Sequence, residues 1–330
     1  MIDVIVGKKR RETVNNMANI STVFGNLKDH LSAHIVGQEN VIDQLLIALL
    51  AEGHALLEGV PGTAKTFLIK TMAGLIGTEF SRIQLTPDML PSDIIGTSVY
   101  DLTTKTFKVK RGPLFTSLLL ADEINRTPPK TQSALLEAME ERQVTIDGQT
   151  ESLPSLFMVV ATQNPVEFEG TYPLPEAQLD RFMLKIVIGY PPQEAEKQML
   201  KNWLNGLYSR ESLTIKPVTT ASEIIECREE LKSVAVEESV LNYLLEIVQL
   251  SRSASDLLLG ASPRAALNWL RAAKAHAALN GRNFVTPDNI KFVAEPILRH
   301  RLILKPESEL DGATLNLVIE TLLKQIPVPR

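Results

Sequence analysis

Eight consecutive residues in the first quarter of the chain combine glycine turns with a lysine and a threonine. Residues 59–66 read Gly-Val-Pro-Gly-Thr-Ala-Lys-Thr, after the apolar run 55–57 and before apolar residues at helical spacing. A strand, a glycine turn and a helix start in this order place backbone N–H groups around phosphate oxygens, with the lysine on the β- and γ-phosphates and the threonine hydroxyl on Mg²⁺. The pattern therefore predicts a nucleoside triphosphate site built from Gly59, Val60, Pro61, Gly62, Thr63, Ala64, Lys65 and Thr66.

The residue before the lysine departs from the general loop pattern, which has glycine there. We expect Ala64 to need only the ordinary dihedral angles of a helix start, so alanine fits although its methyl group crowds the phosphate. Binding is expected to survive this change. Taken alone, the loop is also compatible with a chance turn that carries a surface lysine, and a second motif has to decide between the two interpretations.

That second motif is the pair Asp122 and Glu123, which follows the apolar run 118–121. A short, entirely apolar run is typical of a parallel strand buried on both faces, and its carboxyl end lies where open α/β sheets bind ligands. The two acids are expected to face different ways along the strand. We predict that Asp122 holds Mg²⁺ and that Glu123 orients and deprotonates the water that attacks the γ-phosphate. Without the upstream loop, the pair would simply be a solvated strand end.

Three further polar residues are candidates for the same chemistry. Asn164 ends another predicted buried strand, where an amide can contact both water and phosphate, although a turn asparagine before Pro165 is the alternative. Arg181 is either a surface partner of Asp180 or an arginine supplied to a phosphate in another subunit. Arg264 begins a predicted helix, from which it contacts the γ-phosphate and couples nucleotide state to domain angle, or else lies along the helix surface.

The elements that must position these residues change in type along the chain. Short apolar runs predict strands near 55–57, 118–122, 157–162 and 183–188, and Phe80, Ile83 and Leu85 suggest a strand near 80–85. Helices are predicted over 38–51, 65–76 and 128–142. An irregular insert covers 86–112 and contains a short helix and a hairpin, and a second hairpin covers 144–153. After residue 190 the periodicity predicts helices alone, near 194–204, 221–233, 238–252, 264–280, 287–299 and 314–325. The predicted fold class is an α/β parallel-sheet domain followed by an all-helical domain.

Composition excludes several other classes of protein. The 330 residues are 44% hydrophobic and 22% charged, with a formal net charge of −5, which argues against a surface that mainly coats nucleic acid. The single cysteine, Cys227, rules out an intrachain disulfide, and the five histidines lack metal-ligand spacing. No apolar run approaches the roughly 20 residues of a membrane span. We expect a cytoplasmic protein.

Several segments together resemble one family. These are residues 58–66, 118–132, 133–145 and 161–182, the last containing Thr-Gln-Asn-Pro and ending in Gln-Leu-Asp-Arg-Phe. The chain resembles the MoxR-type AAA+ ATPases of the helix-2-insert clade, in which an alanine before the loop lysine is usual. The resemblance implies a P-loop AAA+ core at 35–190 that includes the insert 86–112 and the hairpin 144–153. A tail and leading helix at 1–34 precede this core, and a C-terminal all-helical lid domain at 191–330 follows it.

The resemblance also implies residue roles and partners. Lys65 and Thr66 match the Walker A motif, and Asp122 and Glu123 match the Walker B motif. Asn164 corresponds to sensor 1, Arg181 to the arginine finger and Arg264 to sensor 2. Ile35 and Val36 correspond to the segment that packs on adenine. It implies ATP and Mg²⁺ as cofactors, a ring homo-oligomer of six subunits, and partners with von Willebrand factor A domains. Relatives remodel or activate protein clients and often insert a metal or cofactor.

Two alternative functions remain open at this point. A nucleic-acid motor would use the basic residues on or beside the insert hairpin, which are Lys105, Lys108, Lys110 and Arg111. The acidic balance of the chain speaks against this alternative, and we expect no nucleic-acid partner. A nucleotide switch without hydrolysis is the other alternative, and the complete set of candidate catalytic residues speaks against it.

Overall fold

The computed structural model describes residues 19–60, 62–164, 170–205 and 215–329. The predicted site residue Pro61 lies outside the described residues, as do residues 1–18 of the predicted tail and leading helix over 1–34. Within the described part of the chain, no helix is both long enough and apolar enough to cross a membrane.

A five-stranded parallel sheet forms the centre of the first half of the chain, as predicted. Its strands are β1 (Ala55–Gly59), β2 (Phe80–Gln84), β5 (Leu118–Asp122), β8 (Met158–Gln163) and β9 (Leu184–Ile188). Their order in the sheet is β2-β5-β8-β1-β9. Because all five run the same way, the carboxyl ends of β5, β8 and β1 meet at one edge of the sheet, which is the edge that carries the predicted site.

Both faces of the sheet are buried because successive side chains of each strand alternate between two hydrophobic clusters. On β5, Leu118 and Leu120 belong to one cluster, whereas Leu119 and Ala121 belong to the other. Because the side chains of β5 are buried on both faces of the sheet, positions 118–121 of the strand are all apolar, which gives the unbroken apolar run in the sequence.

Helices cover the two faces of the sheet. A helix within residues 19–34 (α1), α2 (Glu39–Leu50) and α3 (Lys65–Ile76) contribute to one cluster, and α5 (Pro129–Glu141) contributes to the other. The helices predicted at 38–51, 65–76 and 128–142 are thereby confirmed within two residues at each end. A short helix, α6 (Glu176–Leu179), has no counterpart in the prediction because one turn is too short for helical periodicity to appear.

Two hairpins project from the core at the predicted places. The insert consists of α4 (Pro91–Ile95) and an antiparallel pair, β3 (Gly96–Asp101) and β4 (Thr106–Arg111); the second hairpin pairs β6 (Gln143–Ile146) with β7 (Gln149–Ser152). An ion pair of 2.7 Å between Arg111 Nε and Glu151 Oε2 joins the two hairpins.

Among the described residues, the second half of the chain is mainly helical, and it also contains a short ribbon that the sequence did not predict. Leu257–Leu259 (β10) and Ile303–Leu304 (β11) form a two-stranded antiparallel ribbon, so the lid is not entirely helical. Three and two residues are too few for an alternating pattern. The lid helices are α7 (Gln193–Leu204), α8 (Ala221–Leu231), α9 (Glu238–Ser253), α10 (Pro263–Leu279), α11 (Pro287–Leu298), α12 (Pro306–Leu310) and α13 (Leu315–Gln325).

Arginines of the lid bind the carboxyl end of α2 in the core. Arg228 on α8 donates to Leu49 O from Nε at 3.1 Å and from Nη2 at 2.8 Å, and Arg271 on α10 donates to Ala51 O at 2.5 Å. The last carbonyls of a helix lack partners within the helix and carry its negative dipole end, so they are suited to cations. These contacts attach the lid to the core beside β1.

Candidate active site

The loop between β1 and α3 takes the shape of a phosphate cradle. A Cβ at Gly59 would lie 2.5 Å from Ile188 O on β9, so glycine is required for the close approach of the two strands. Gly62 has a φ of +85°, a conformation that favours glycine. Lys65 and Thr66 are the first two residues of α3, which places both at the helix N-terminus, where anions bind.

The expectation that Ala64 has the ordinary dihedral angles of a helix start is wrong. Ala64 is the N-cap of α3 and has φ +58° and ψ +23°, in the left-handed region rather than in the helical one. A left-handed alanine costs roughly 1–2 kcal/mol because its Cβ approaches the following carbonyl oxygen, and only glycine escapes this cost. The turn of the loop imposes the conformation, which helix-start preferences could not reveal.

The ammonium group of Lys65 lies on the loop itself. Its Nζ donates to Gly59 O at 2.5 Å and to Val60 O at 3.4 Å. Partial burial lowers the pKa of Lys65, and the nearby carboxylates of Asp122 and Glu123 oppose this shift. A half-buried ammonium is poorly hydrated, so phosphate oxygens in the cradle would be strong partners for it.

Asp122 ends β5 with a buried carboxylate that has two partners. Its Oδ1 accepts a hydrogen bond from Thr162 Oγ1 on β8 at 3.0 Å, and its Oδ2 forms a 2.6 Å ion pair with Arg82 Nε on β2. Sequence reasoning missed both partners, because each depends on the order of strands in the sheet rather than on a local motif. Arg82 therefore competes for a carboxylate oxygen that the prediction assigns to Mg²⁺.

Glu123 lies just beyond β5 and not within it. Its φ of +58° and ψ of +53° turn the chain into a one-turn 3-10 helix (Ile124–Arg126), so the prediction that the two acids alternate along a strand is wrong. The Glu123 N–H donates to Thr162 Oγ1 at 2.9 Å, and its carboxylate forms a 3.1 Å ion pair with Arg126. Thr162 thus fixes the positions of both acids, while the Glu123 carboxylate remains about one-third exposed.

Asn164 is the first residue after β8 and is buried. In the sheet, β8 lies between β5, which carries Asp122, and β1, which leads into the phosphate loop. The topology therefore brings Asn164, the acidic pair and the loop to one edge, as the sequence predicted. The role of Asn164 as a contact to water and phosphate stays a prediction.

An apolar cavity of about 640 Å³ continues from the loop towards the lid. Ile35 and Val36 line it together with Phe67 of α3 and Met199 of α7, and Gly62, Thr63 and Ala64 close its loop end. An apolar cleft beside a phosphate cradle suits a flat heterocyclic base. The structure thus puts the two predicted adenine-packing residues next to the loop.

Arg181 and Arg264 lie together at a different place. Both form ion pairs with Glu140 of α5, from Arg181 Nε to Oε2 at 3.1 Å and from Arg264 Nη2 to Oε1 at 2.6 Å. They line a cavity of about 620 Å³ that also includes Gly53 and His54, just before β1. This is the amino edge of the sheet, and the five residues of β1 span about 16 Å between it and the phosphate loop.

The oxygen donors at the carboxyl edge suit Mg²⁺. This ion prefers hard oxygen ligands and is usually held by one or two protein groups, with substrate phosphates and water completing its shell. Thr66 and Asp122 offer one hydroxyl and one carboxylate, and no cluster of three or more histidine, cysteine or acidic residues suited to a metal occurs among the described residues. The residues present therefore fit a metal that arrives with the nucleotide.

Comparison with known proteins agrees with this geometry. The family profile of the ATPase family associated with various cellular activities (AAA) matches residues 54–184, and that of the AAA lid domain matches residues 249–322. A Bacillus subtilis protein, YeaC, is 43% identical over 94% of this chain and 96% of its own. Chaperone MoxR1 of Mycobacterium tuberculosis is 41% identical over 90% of this chain and 80% of its own.

A solved structure extends the likeness to the fold. A crystal structure from Cytophaga hutchinsonii, provisionally assigned as an ATPase, superposes with a TM-score of 0.90 at 42% identity and covers 98% of this chain and 99% of that chain. The phosphate cradle, the acidic pair and the lid define an AAA+ nucleotide-hydrolysing protein. The chain belongs to the MoxR family of AAA+ ATPases, and the predicted ATPase class is confirmed.

Proposed function

We propose that this ATPase assembles into a ring in which arginines of one subunit complete the nucleotide site of the next. The observation that carries the proposal is the shared ion pairing of Arg181 and Arg264 with Glu140, at the sheet edge opposite the phosphate loop. At this edge the two guanidinium groups are far from the phosphate loop of their own subunit, and they are partly exposed, so a neighbouring subunit can reach them. A head-to-tail interface gives a ring when its rotation closes, and from the family resemblance we propose a closed ring of six subunits.

Each residue at the carboxyl edge has a task in hydrolysis under this proposal. Lys65 and the N-terminus of α3 would bind the β- and γ-phosphates, and Thr66 and Asp122 would hold Mg²⁺, which would supply neutralisation of the phosphate charge. Glu123 accepts the proton of the attacking water, and Asn164 orients that water. The guanidinium groups from the neighbouring subunit stabilise the negative charge that spreads over the transferred phosphoryl oxygens.

We further propose that hydrolysis drives the remodelling or activation of protein clients. Support comes from the name of the Mycobacterium tuberculosis relative, a chaperone, and from the insert hairpin, where Leu102 and Phe107 are 82% and 73% exposed. Exposed apolar side chains on a projecting hairpin suit apolar segments of a client. Partners with von Willebrand factor A domains, and a metal or cofactor as cargo, belong to this proposal through the family resemblance.

A cytoplasmic location is also part of the proposal. The chain has one cysteine, Cys227, whose pKa burial raises to about 12. A thiol of this kind stays protonated and unreactive, and a chain without disulfides suits a reducing compartment.

A nucleic-acid motor is the second candidate, because Lys105 and Lys110 are exposed on or beside the insert hairpin. The other two basic residues are already paired, Lys108 with Asp101 at 2.5 Å and Arg111 with Glu151. Binding to single- or double-stranded DNA that weakens as salt rises would favour this candidate. No binding at low salt would exclude it.

The proposed function is tested with two substitutions and a control. Arg181→Ala is expected to lower the turnover of ATP by about a thousandfold or more while ATP binding persists, since an arginine finger acts on the transition state. Glu123→Gln is expected to abolish turnover. Arg282→Ala is the control, because this exposed arginine donates to Thr286 Oγ1 at 3.4 Å and follows the end of α10 that is opposite to Arg264. Full turnover by Arg181→Ala would contradict the shared site.

A further inference from the structure

Arg301 of the lid holds the segment that carries Arg181. Its guanidinium is buried and uses all five of its N–H donors. Nε donates to Asp180 Oδ1 at 2.6 Å, Nη2 to Asp180 O at 3.2 Å and Phe182 O at 2.6 Å, and Nη1 to Met183 O at 3.0 Å and Ile297 O at 2.5 Å. Four of these five hydrogen bonds go to residues 180–183, which surround Arg181.

The same aspartate also binds the start of the helix that carries Arg264. Asp180 Oδ2 accepts a hydrogen bond from Ser262 Oγ at 3.0 Å, and Ser262 is the N-cap of α10. Arg264 is the second residue of that helix. One carboxylate therefore connects Arg301, the backbone beside Arg181 and the helix end beside Arg264.

The two arginines are connected a second time at their tips. Glu140 of α5 accepts from both guanidinium groups, one on each oxygen. Arg181 and Arg264 are thus fixed relative to each other at the backbone through Asp180 and at the charged ends through Glu140. Glu140 is itself partly exposed, so a phosphate from outside the subunit can replace it as their anionic partner.

We propose that Arg301 is a positioning residue that presents Arg181 and Arg264 to the adjacent subunit as one rigid pair. This inference rests on the proposed shared site. All five donors of Arg301 bind protein groups, so it acts by fixing the backbone on both sides of Arg181 to the lid. Because the pair meets the neighbour's nucleotide only at the transition state, Arg301 affects kcat and leaves the KM for ATP nearly unchanged.

Loss of Arg301 should impair the donation of arginines to the neighbouring subunit and leave the subunit's own phosphate loop intact. This asymmetry distinguishes a positioning role from a general effect on folding stability. A subunit that lacks Arg301 is a poor donor of arginines to its neighbour. Its own phosphate loop is intact, so it remains a good acceptor. A substitution that only weakened folding would harm both capacities alike.

The test co-assembles pairs of variants in equal amounts and measures ATP turnover. Lys65→Ala removes the acceptor function and Arg181→Ala removes the donor function, so neither is active alone. In their mixture, intact loops face intact arginines at about one quarter of the interfaces of a randomly assembled ring, and about one quarter of wild-type turnover is expected. No recovery in this reference mixture would refute the proposed shared site itself, whatever Arg301 does.

Arg301→Met alone is expected to lower kcat by about ten- to a hundredfold, the cost of a misplaced catalytic group, with KM changed less than twofold. Mixed with Lys65→Ala it should recover activity as the reference mixture does, and mixed with Arg181→Ala it should not. Equal recovery or equal failure in the two mixtures would overturn the inference, as would wild-type kcat of Arg301→Met alone.

Two milder variants keep the test decisive if Arg301→Met does not fold. Arg301→Lys keeps the charge beside Asp180 but cannot reach all four acceptors of residues 180–183, so an intermediate kcat is expected. Asp180→Asn keeps the size of the side chain and weakens the contact with Arg301. Both should show the same preference for the Lys65→Ala partner, and a folded variant of either kind that recovers equally with both partners would overturn the inference.

Discussion

Acid should destabilise this protein through a buried neutral histidine, His54, in the wall of the cavity that holds Arg181. Its Nδ1 accepts a hydrogen bond from Val159 N at 2.9 Å, and its Nε2 donates to Met139 O at 3.1 Å. Burial lowers the pKa of His54 from 6.5 to about 4; the Met139 carbonyl opposes the shift, and Arg142, Arg228 and Arg271 add to it. A charged imidazole cannot be accommodated there, because Nδ1 has an N–H as its partner.

The size of the effect follows from this pKa. The folded state takes up the proton less readily than the unfolded state, so the contribution of His54 is complete above pH 6.5 and is lost as the pH falls towards 4. The full shift corresponds to about 3 kcal/mol, of which about 2 kcal/mol is lost by pH 5. Global stabilities are about 5–15 kcal/mol, so this loss is measurable.

The assay is urea unfolding at pH 8 and pH 5, monitored by circular dichroism. His54→Gln places an amide with the same donor and acceptor in the site, and it should remove about 2 kcal/mol of the difference in unfolding free energy between the two pH values. His30→Gln is the matched control, because His30 is exposed on α1. If His54→Gln kept the whole pH dependence of the wild type, the reasoning from burial would be refuted.

Three further outcomes are expected from single substitutions. Ala64→Gly should raise the unfolding free energy by about 1 kcal/mol in urea, because it removes a left-handed alanine, and a loss of stability would contradict that conformation. Arg82→Met should lower the Mg²⁺ concentration needed for half-maximal ATP binding by about two- to fivefold, because Asp122 loses a competing ion pair; an unchanged requirement would argue against competition. Arg228→Met should cost about 1–3 kcal/mol in the same urea assay, because Leu49 O loses two hydrogen bonds and keeps a long one from Glu52 N at 3.4 Å; wild-type stability would count against the attachment of the lid to α2.

The sequence predicted the elements of the fold well, because they have strong local signals. The run Leu118 to Ala121 is apolar at every position because both faces of β5 are buried. The helix α3 was predictable because its apolar residues repeat at helical spacing. The short ribbon of β10 and β11 was missed since two or three residues carry no periodicity. The one-turn helix α6 was missed for the same reason.

The candidate site was predictable where its residues are close in the chain, and less so where they are not. The loop and the acidic pair could be identified from local motifs, and the strand order brought Asn164 to the same edge. The left-handed conformations of Ala64 and Glu123 are imposed by tertiary turns that override local preference. The hydrogen bond from Arg82 to Asp122 joins residues 40 positions apart, and that from Arg301 to Asp180 joins residues 121 positions apart. No sequence motif predicts either contact.

The pairing of Glu140 with two arginines is the least predictable feature of the structure. Glu140 and Arg264 are 124 positions apart and lie in different domains. Nothing in the residues around Glu140 distinguishes it from the other exposed acids of α5. Only the packing of the lid against the core brings the two arginines to one carboxylate, and this packing underlies the account of a shared site.

The most direct test of the shared site is the turnover of ATP per subunit, measured over a series of wild-type subunit concentrations with ATP and Mg²⁺ in excess. If each site needs an arginine from a neighbour, turnover per subunit is low in dilute solution and rises to a plateau as subunits associate, in step with their mass by light scattering. A turnover per subunit that stays constant down to concentrations at which light scattering detects only monomers would contradict the account.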